Sequence, residues 1–165
     1  MAAKIKNRHR LKNKEIKEIL DELKQNFSTD FFDVRSSVEI GTIEEFEVIL
    51  VDGEIDFIRF DDKIFFSLRG LYKYKPNEHF VVVDMGAVKF VINGADIMAA
   101  GIVDADENIQ TGDQVWVCDE THHKPLAVGV ALTNSEEMIN SKAGKAVKNI
   151  HYVGDELWIL TGDIS

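Results

Sequence analysis

An α+β fold is predicted by three features of the 165-residue sequence: one amphipathic helix, an antiparallel meander after it, and a longer run of short strands punctuated by Gly, Asn and Asp. Apolar residues at Ile16, Ile19, Leu20, Leu23 and Phe27 recur at helical spacing and form one stripe on a helix over about 12–26. Glu15, Glu18, Asp21 and Glu22 interleave with Lys14, Lys17 and Lys24 on the opposite face, where several pairs are favourable. Ser28-Thr29-Asp30 ends this helix and is a candidate cap for a short helical turn through Phe31-Phe32. The meander comes next. Glu47-Val48-Ile49-Leu50-Val51 meets Glu54-Ile55-Asp56-Phe57-Ile58-Arg59-Phe60 across Asp52-Gly53, a two-residue link whose turn needs positive φ. Asp61-Asp62 then turns the chain into Lys63-Ile64-Phe65-Phe66-Ser67-Leu68. Three antiparallel strands covered by the first helix are expected.

Leu71-Tyr72-Lys73-Tyr74-Lys75-Pro76-Asn77 reads as a junction, because Pro76 disfavours helix at Lys75. It divides the chain into 1–76 and 77–165. Beyond it, strands are predicted near 80–84, 101–104, 114–119, 125–133, 146–152 and 156–160, a spacing that suits a small sandwich or barrel. One short helix is expected near Gly86. Another begins at Ser135, with Glu136 and Glu137 in its first turn.

Composition narrows the function classes. Two prolines and a hydrophobic fraction of 45% describe a folded chain without long disordered linkers. The longest apolar runs, such as Phe80-Val81-Val82-Val83, are strand-length, and no signal-peptide core follows the basic amino terminus. A cytoplasmic protein with no membrane partner is expected. Cys118, the single cysteine, lies in an apolar run, which excludes an internal disulfide or a Cys-based zinc site and suggests a buried thiol. The net charge of −10 is uneven. Residues 1–75 carry 14 Lys/Arg and 15 Asp/Glu, whereas 76–165 carry 5 and 14. A nucleic-acid contact would therefore need local basic patches.

The second half contains an ordered series of motifs. Val81-Val82-Val83-Asp84-Met85-Gly86-Ala87-Val88-Lys89-Phe90-Val91-Ile92-Asn93-Gly94-Ala95-Asp96-Ile97-Met98 is followed by Gly101-Ile102 and Gly112-Asp113-Gln114-Val115-Trp116-Val117. Then come Ala127-Val128-Gly129-Val130-Ala131, Gly144-Lys145-Ala146-Val147-Lys148, Asn149-Ile150-His151-Tyr152 and Asp155-Glu156-Leu157-Trp158. Over about 77–161 this series resembles a PUA domain. Gly86-Ala87-Val88-Lys89-Phe90-Val91 together with Asn149-Ile150-His151-Tyr152 and Leu157-Trp158 resembles the malignant T-cell-amplified-sequence family, in particular its archaeal members. That resemblance implies a small α/β pre-PUA domain over 1–76 and a PUA pseudo-barrel of mostly antiparallel strands over 77–165. It also implies binding to tRNA or ribosomal RNA, association with the small ribosomal subunit, a role in translation initiation or recycling, and a partner akin to density-regulated protein. Related sequences often carry proline before the Gly-Ile pair; here Ala100 stands there.

The candidate RNA contacts follow from chemistry and position. Asn93-Gly94-Ala95 and Gly101 would let backbone N–H groups meet phosphate or sugar without an intervening side chain, or else are plain glycine turns. Lys89 is a point charge for phosphate or an exposed helix lysine. Met98 and Ile102 are candidates to wedge against a base, or are core. Lys142, Lys145 and Lys148 form the single basic cluster of the acidic half. His151 is a candidate to stack on a base or a structural histidine. Lys4, Lys6, Arg8 and Arg10 lie in an acid-free amino-terminal run and could act as a flexible RNA-binding arm that orders on contact, or as a solubilising tail.

His122-His123 reads as a hairpin loop and not as a metal pair, and Asp104-Ala105-Asp106-Glu107-Asn108 as a solvated turn. No phosphate-binding loop, dinucleotide fingerprint, nucleophile elbow or His-Glu-x-x-His run is present, and Asp84 with Asp96 has no reason to act as an acid/base pair. The sequence thus predicts a non-catalytic RNA-binding protein without cofactor or metal. The competing readings are a protein–protein adaptor and an accessory RNA-binding subunit of an RNA-modifying enzyme.

Overall fold

A computed structural model describes residues 4–161. The chain opens with β1 (Lys6–Arg10), followed by α1 (Asn13–Phe27). The predicted stripe of α1 is buried from Ile16 to Phe27. Glu15 accepts the Lys12 N–H at 3.1 Å at the start of the helix, and Ser28 ends it in the left-handed region. The helical turn expected through Phe31-Phe32 does not form. The two rings are instead drawn onto the core, Phe31 edge-on to Phe27 and Phe66 and Phe32 against Phe57.

β2 (Val38–Ile43), β3 (Phe46–Val51), β4 (Glu54–Phe60) and β5 (Lys63–Phe66) complete a five-stranded antiparallel sheet in the order β1-β2-β3-β4-β5. The hairpin at Asp52-Gly53 has φ of 50° and 88°, the two positive values its turn demands. The expected three strands are thus the last three of five. β1 has no buried side chain to announce it as a strand. At the predicted junction the chain forms α2 (Leu68–Tyr74). Ser67 caps α2: its Oγ accepts the Gly70 N–H and donates to the Ile55 carbonyl. Lys75, at φ 47°, ends the helix before Pro76.

The second sheet is built from β6 (Phe80–Val83), β7 (Ile97–Met98), β8 (Ile102–Ala105), β9 (Gln114–Asp119), β10 (Pro125–Ala131) and β11 (Lys145–Tyr152). Its order is β7-β11-β10-β9-β6-β8, antiparallel except for the parallel β6–β9 pair. α3 (Met85–Val91) and α4 (Ser135–Asn140) lie where they are predicted. The cap of α4 is Asn134, whose side chain accepts the Glu137 N–H, and not Ser135, which is buried. The strand predicted at 156–160 is α5 (Glu156–Thr161). Leu157-Trp158-Ile159-Leu160 is an apolar run that periodicity alone cannot assign, and the Asp155 carboxylate accepting the Trp158 N–H at 2.8 Å settles it as helix. Among the described residues no helix is long and apolar enough to cross a membrane.

Two apolar cores result. One lies inside the second sheet around Val81, Val83, Val117 and Val147, closed by Val91 of α3 and Met138 of α4. The other lies between α1, the five-stranded sheet and α2, and it also takes in Val128 and Leu157, with Trp116, Ile150, Trp158 and Leu160 packed at its margin. α5 therefore belongs to the core of the amino-terminal half although it follows the second sheet in sequence. Burying a leucine such as Leu157 is worth about 1.5–3 kcal/mol, enough to hold the helix there.

Candidate nucleic-acid interface

α3 begins at Asp84, whose carboxylate accepts the Ala87 N–H at 2.9 Å, while Glu120 accepts the Met85 N–H at 3.0 Å. These caps fix the rotation of the helix. Val91 points into the core, and Met85, Lys89 and Phe90 face outward. At the far end the Asn93 and Ala95 N–H groups both donate to the Phe90 carbonyl, and the Gly94 N–H donates to that of Val91. The expectation that these three amides would be presented to phosphate is therefore corrected: each already closes the helix end. Gly94 is required at this turn for two reasons. Its φ is +90°, and a Cβ would stand 2.9 Å from the Tyr152 ring.

Asn149 of β11 holds this turn. Its side-chain amide donates to the carbonyls of Val91 and Ala95, both at 3.0 Å, and its N–H donates to Asp96 Oδ1. Asn149 is not among the predicted site residues. The signal for it lies in Asn149-Ile150-His151-Tyr152, a polar amide inside a strand. Beyond the turn, Met98 pairs with Lys145 across β7 and β11, and the 3-10 turn Ala99–Gly101 passes close to α3. A Cβ on Gly101 would lie 3.1 Å from that of Ala87. The turn forms with Ala100 at the position where related sequences carry proline.

Between α3 and this turn opens a groove of about 670 Å³, walled by Ala87, Phe90, Met98 and Gly101, with Asp84 and Lys145 at its edges. Phe90 is 57% and Met98 47% exposed, a large apolar display for a soluble surface. Lys145 pairs with Asp96 at 3.2 Å at the lip. The Lys142 amine donates to the Ile102 carbonyl at 2.6 Å, and the Lys89 amine lies 5.2 Å over the Phe90 ring. The groove thus combines apolar walls suited to a flat ring, carbonyls and carboxylates already in hydrogen bonds, and lysines on its margin.

The structure gathers Lys89, Asn93, Gly94, Ala95, Met98, Gly101, Lys142 and Lys145 around α3 and its groove. It does not gather the rest. Lys148 points to the other half of the molecule, its amine 5.9 Å over the Phe60 ring. Ile102 is fully buried in the core and cannot wedge against a base. His151 is fully buried as well, so its assignment as an RNA contact is corrected. Its Nε2 lies 3.1 Å from the Leu68 N–H and its Nδ1 2.8 Å from the Asp155 carboxylate, which holds the ring between α2 and α5. The flexible arm is likewise corrected: Lys6, Arg8 and Arg10 lie on β1, paired with β2, and Lys4 just precedes it.

Other residues singled out have structural roles. His122 and His123 sit exposed in the β9–β10 turn. Cys118 is buried, and burial with Asp119 and Asp104 nearby pushes its thiol up to about 12. Asp104, Glu107 and Asn108 are exposed and the last two form the turn expected, but Asp106 within it is buried and accepts the His79 N–H.

Residues 79–153 match the PUA domain family, and residues 7–74 match a domain of unknown function, DUF1947. An uncharacterized protein of Methanocaldococcus jannaschii is 48% identical over 96% of this chain and 99% of its own length. Translation machinery-associated protein 20 of Saccharomyces cerevisiae is 30% identical over 87% of this chain and 78% of its own. The crystal structure of a hypothetical protein from Pyrococcus horikoshii superposes with a TM-score of 0.87 at 39% identity, covering 94% of this chain and 99% of that one. With a DUF1947 domain before a PUA domain and relatives of this identity along nearly its whole length, the chain belongs to the PUA-protein family that includes translation machinery-associated protein 20 and malignant T-cell-amplified sequence 1.

Proposed function

We propose that this chain is a non-catalytic RNA-binding protein of the translation machinery, with the α3 groove as its contact for tRNA or small-subunit ribosomal RNA. The observation that carries the reading is the groove itself. It is an open apolar slot in the PUA match, with Phe90 and Met98 exposed on its walls and Lys145 at its edge. An exposed aromatic and a thioether offer faces for an unpaired base, and lysines at the rim offer charge to the phosphates beside it. Translation supplies the context because the name of the yeast relative places that protein with the translation machinery. The division at Pro76, the cytoplasmic location and a density-regulated-protein-like partner belong to the same reading. So do the roles of Lys89, Lys142 and Lys145.

The test is binding of the purified chain to bulk tRNA and to small-subunit ribosomal RNA. A Phe90→Ala, Met98→Ala variant should lose about 10-fold or more in affinity, since one stacked base is worth about 1–3 kcal/mol. Failure of the unaltered protein to retain either RNA in dilute buffer would overturn the reading. The adaptor reading predicts capture of one protein that survives nuclease treatment.

A further inference from the structure

We propose that β1 and the start of α1 form a second, preformed phosphate-binding strip on the amino-terminal sheet, and that this strip carries most of the salt-dependent part of RNA affinity. The proposal rests on RNA being the ligand of the groove and adds a site remote from it in sequence and fold.

The argument begins with charge. A chain of net charge −10 repels a polyphosphate unless its cations are concentrated somewhere. The groove does not concentrate them. Lys145 is paired with Asp96, Lys142 is tied to a carbonyl and Asp84 stands close by, which leaves Lys89 over the Phe90 ring as the one lysine there in neither kind of contact. The first 14 residues carry six Lys/Arg and no acid. Arg8 is committed to Glu39 through two hydrogen bonds of 3.0 Å. Among the described residues no ion pair involves Lys4, Lys6, Arg10, Lys12 or Lys14, and all five are exposed.

Order strengthens the case. β1 is an edge strand with every residue exposed, so burial of its own side chains does not hold it in place. Its anchors are Ile5 before it and Leu11 after it, both packed on the amino-terminal core, and its pairing with β2. The cations between those anchors are already arranged, and binding them does not require ordering a tail. α1 starts shortly after, and because the Glu15 carboxylate already caps its first turn, the strip's own cations supply the field.

The surface of β1, Lys6-Asn7-Arg8-His9-Arg10, has no apolar side chain. That suits a phosphate backbone better than an acidic protein, whose interface would need an apolar centre. The competing purpose for lysines on an edge strand is to block edge-to-edge pairing.

The experiment compares the unaltered protein with three full-length variants on bulk tRNA and on a single-stranded oligouridylate across a salt series. With Lys4, Lys6, Arg10 and Lys12 all changed to Ala, the log–log salt slope should fall by roughly 3, at about 0.7–0.9 per phosphate contact. The Phe90→Ala, Met98→Ala variant should keep the full slope and bind more weakly at every salt. A Lys4→Arg, Lys6→Arg, Lys12→Arg variant should keep both slope and affinity, and thermal melting checks that each variant is folded. An unchanged slope in the alanine variant overturns the strip while leaving the groove reading intact, and self-association of that variant in its place assigns the lysines to edge blocking. No RNA binding by the unaltered chain removes both. Polyglutamate competing as well as RNA at equal charge overturns the assignment of the strip to phosphate.

Discussion

The α3 groove and the junction around His151 are built from neighbouring residues of β11, yet one is open and apolar and the other closed and hydrogen-bonded throughout. The cause is a bulge. Val128 of β10 faces His151, but the next residue, Gly129, faces Asn149, so β11 carries one extra residue at Ile150. Before the bulge, Val147 and Asn149 turn towards the second core and α3, while Lys148 and Ile150 turn towards the amino-terminal half. After it the sides exchange: His151 reaches Leu68 and Tyr152 packs on the second core. One inserted residue sends two polar side chains that strand alternation would place together to opposite jobs.

The comparison is tested most severely at His151. Replacing it with Ala leaves the Leu68 N–H without a partner, takes one of three hydrogen bonds from Asp155 and opens a cavity, a loss of about 2–4 kcal/mol in urea unfolding. RNA affinity of the folded protein should stay within about 2-fold, well under the 1.4 kcal/mol that makes a factor of 10. A large affinity loss with intact stability would mean that junction and groove are not separate. Gly94→Val should cost about 1–3 kcal/mol through strain at φ +90° and the clash with Tyr152, and here RNA affinity should fall as well. Asn149→Ala should cost about 1–2 kcal/mol and loosen the same turn, with faster amide exchange at Asn93 and Ala95 as the readout.

Acid sharpens the junction side. Burial alone would raise the Asp155 carboxyl. Hydrogen bonds from His151, together with the N–H groups of Trp158 and Tyr152, outweigh it and hold the group below the usual carboxylate range. A depressed folded value means that its contribution is present above the unfolded value, near pH 4, and is lost as pH falls through the folded one. Asp155→Asn should therefore flatten the acid limb of the stability curve below about pH 4 and leave it parallel to that of the unaltered protein above pH 5. The smallest effect separates the lysines. Lys145→Ala should reduce the salt slope of RNA binding by about 1, and Lys148→Ala, over Phe60, should leave it unchanged.

The sequence could be read for fold wherever a local rule agreed with burial. The stripe of α1, the Asp52-Gly53 hairpin and the strand-rich second half are legible because period and turn chemistry point the same way. β1 was hidden because its five residues bury nothing, and α5 because four apolar residues in a row have no period. In the site, Gly94, Met98 and Lys145 are legible from residue type. Ile102, His151 and Lys148 are not, because strand facing decides their roles, and a bulge at Ile150 or a 3-10 turn before Ile102 shifts the facing without a sequence signal of its own. Asn149 escaped for the same reason: its value lies in reaching two carbonyls more than 50 residues away.

The placement of α5 has a consequence for how the molecule is made. The amino-terminal core is not complete until Leu157 and Trp158 have been synthesised, so the half that is translated first waits for residues that follow the second sheet. A nascent chain whose α5 still lies inside the exit tunnel holds an unsealed apolar seam, open to protease and attractive to chaperones, and the emergence of α5 closes it.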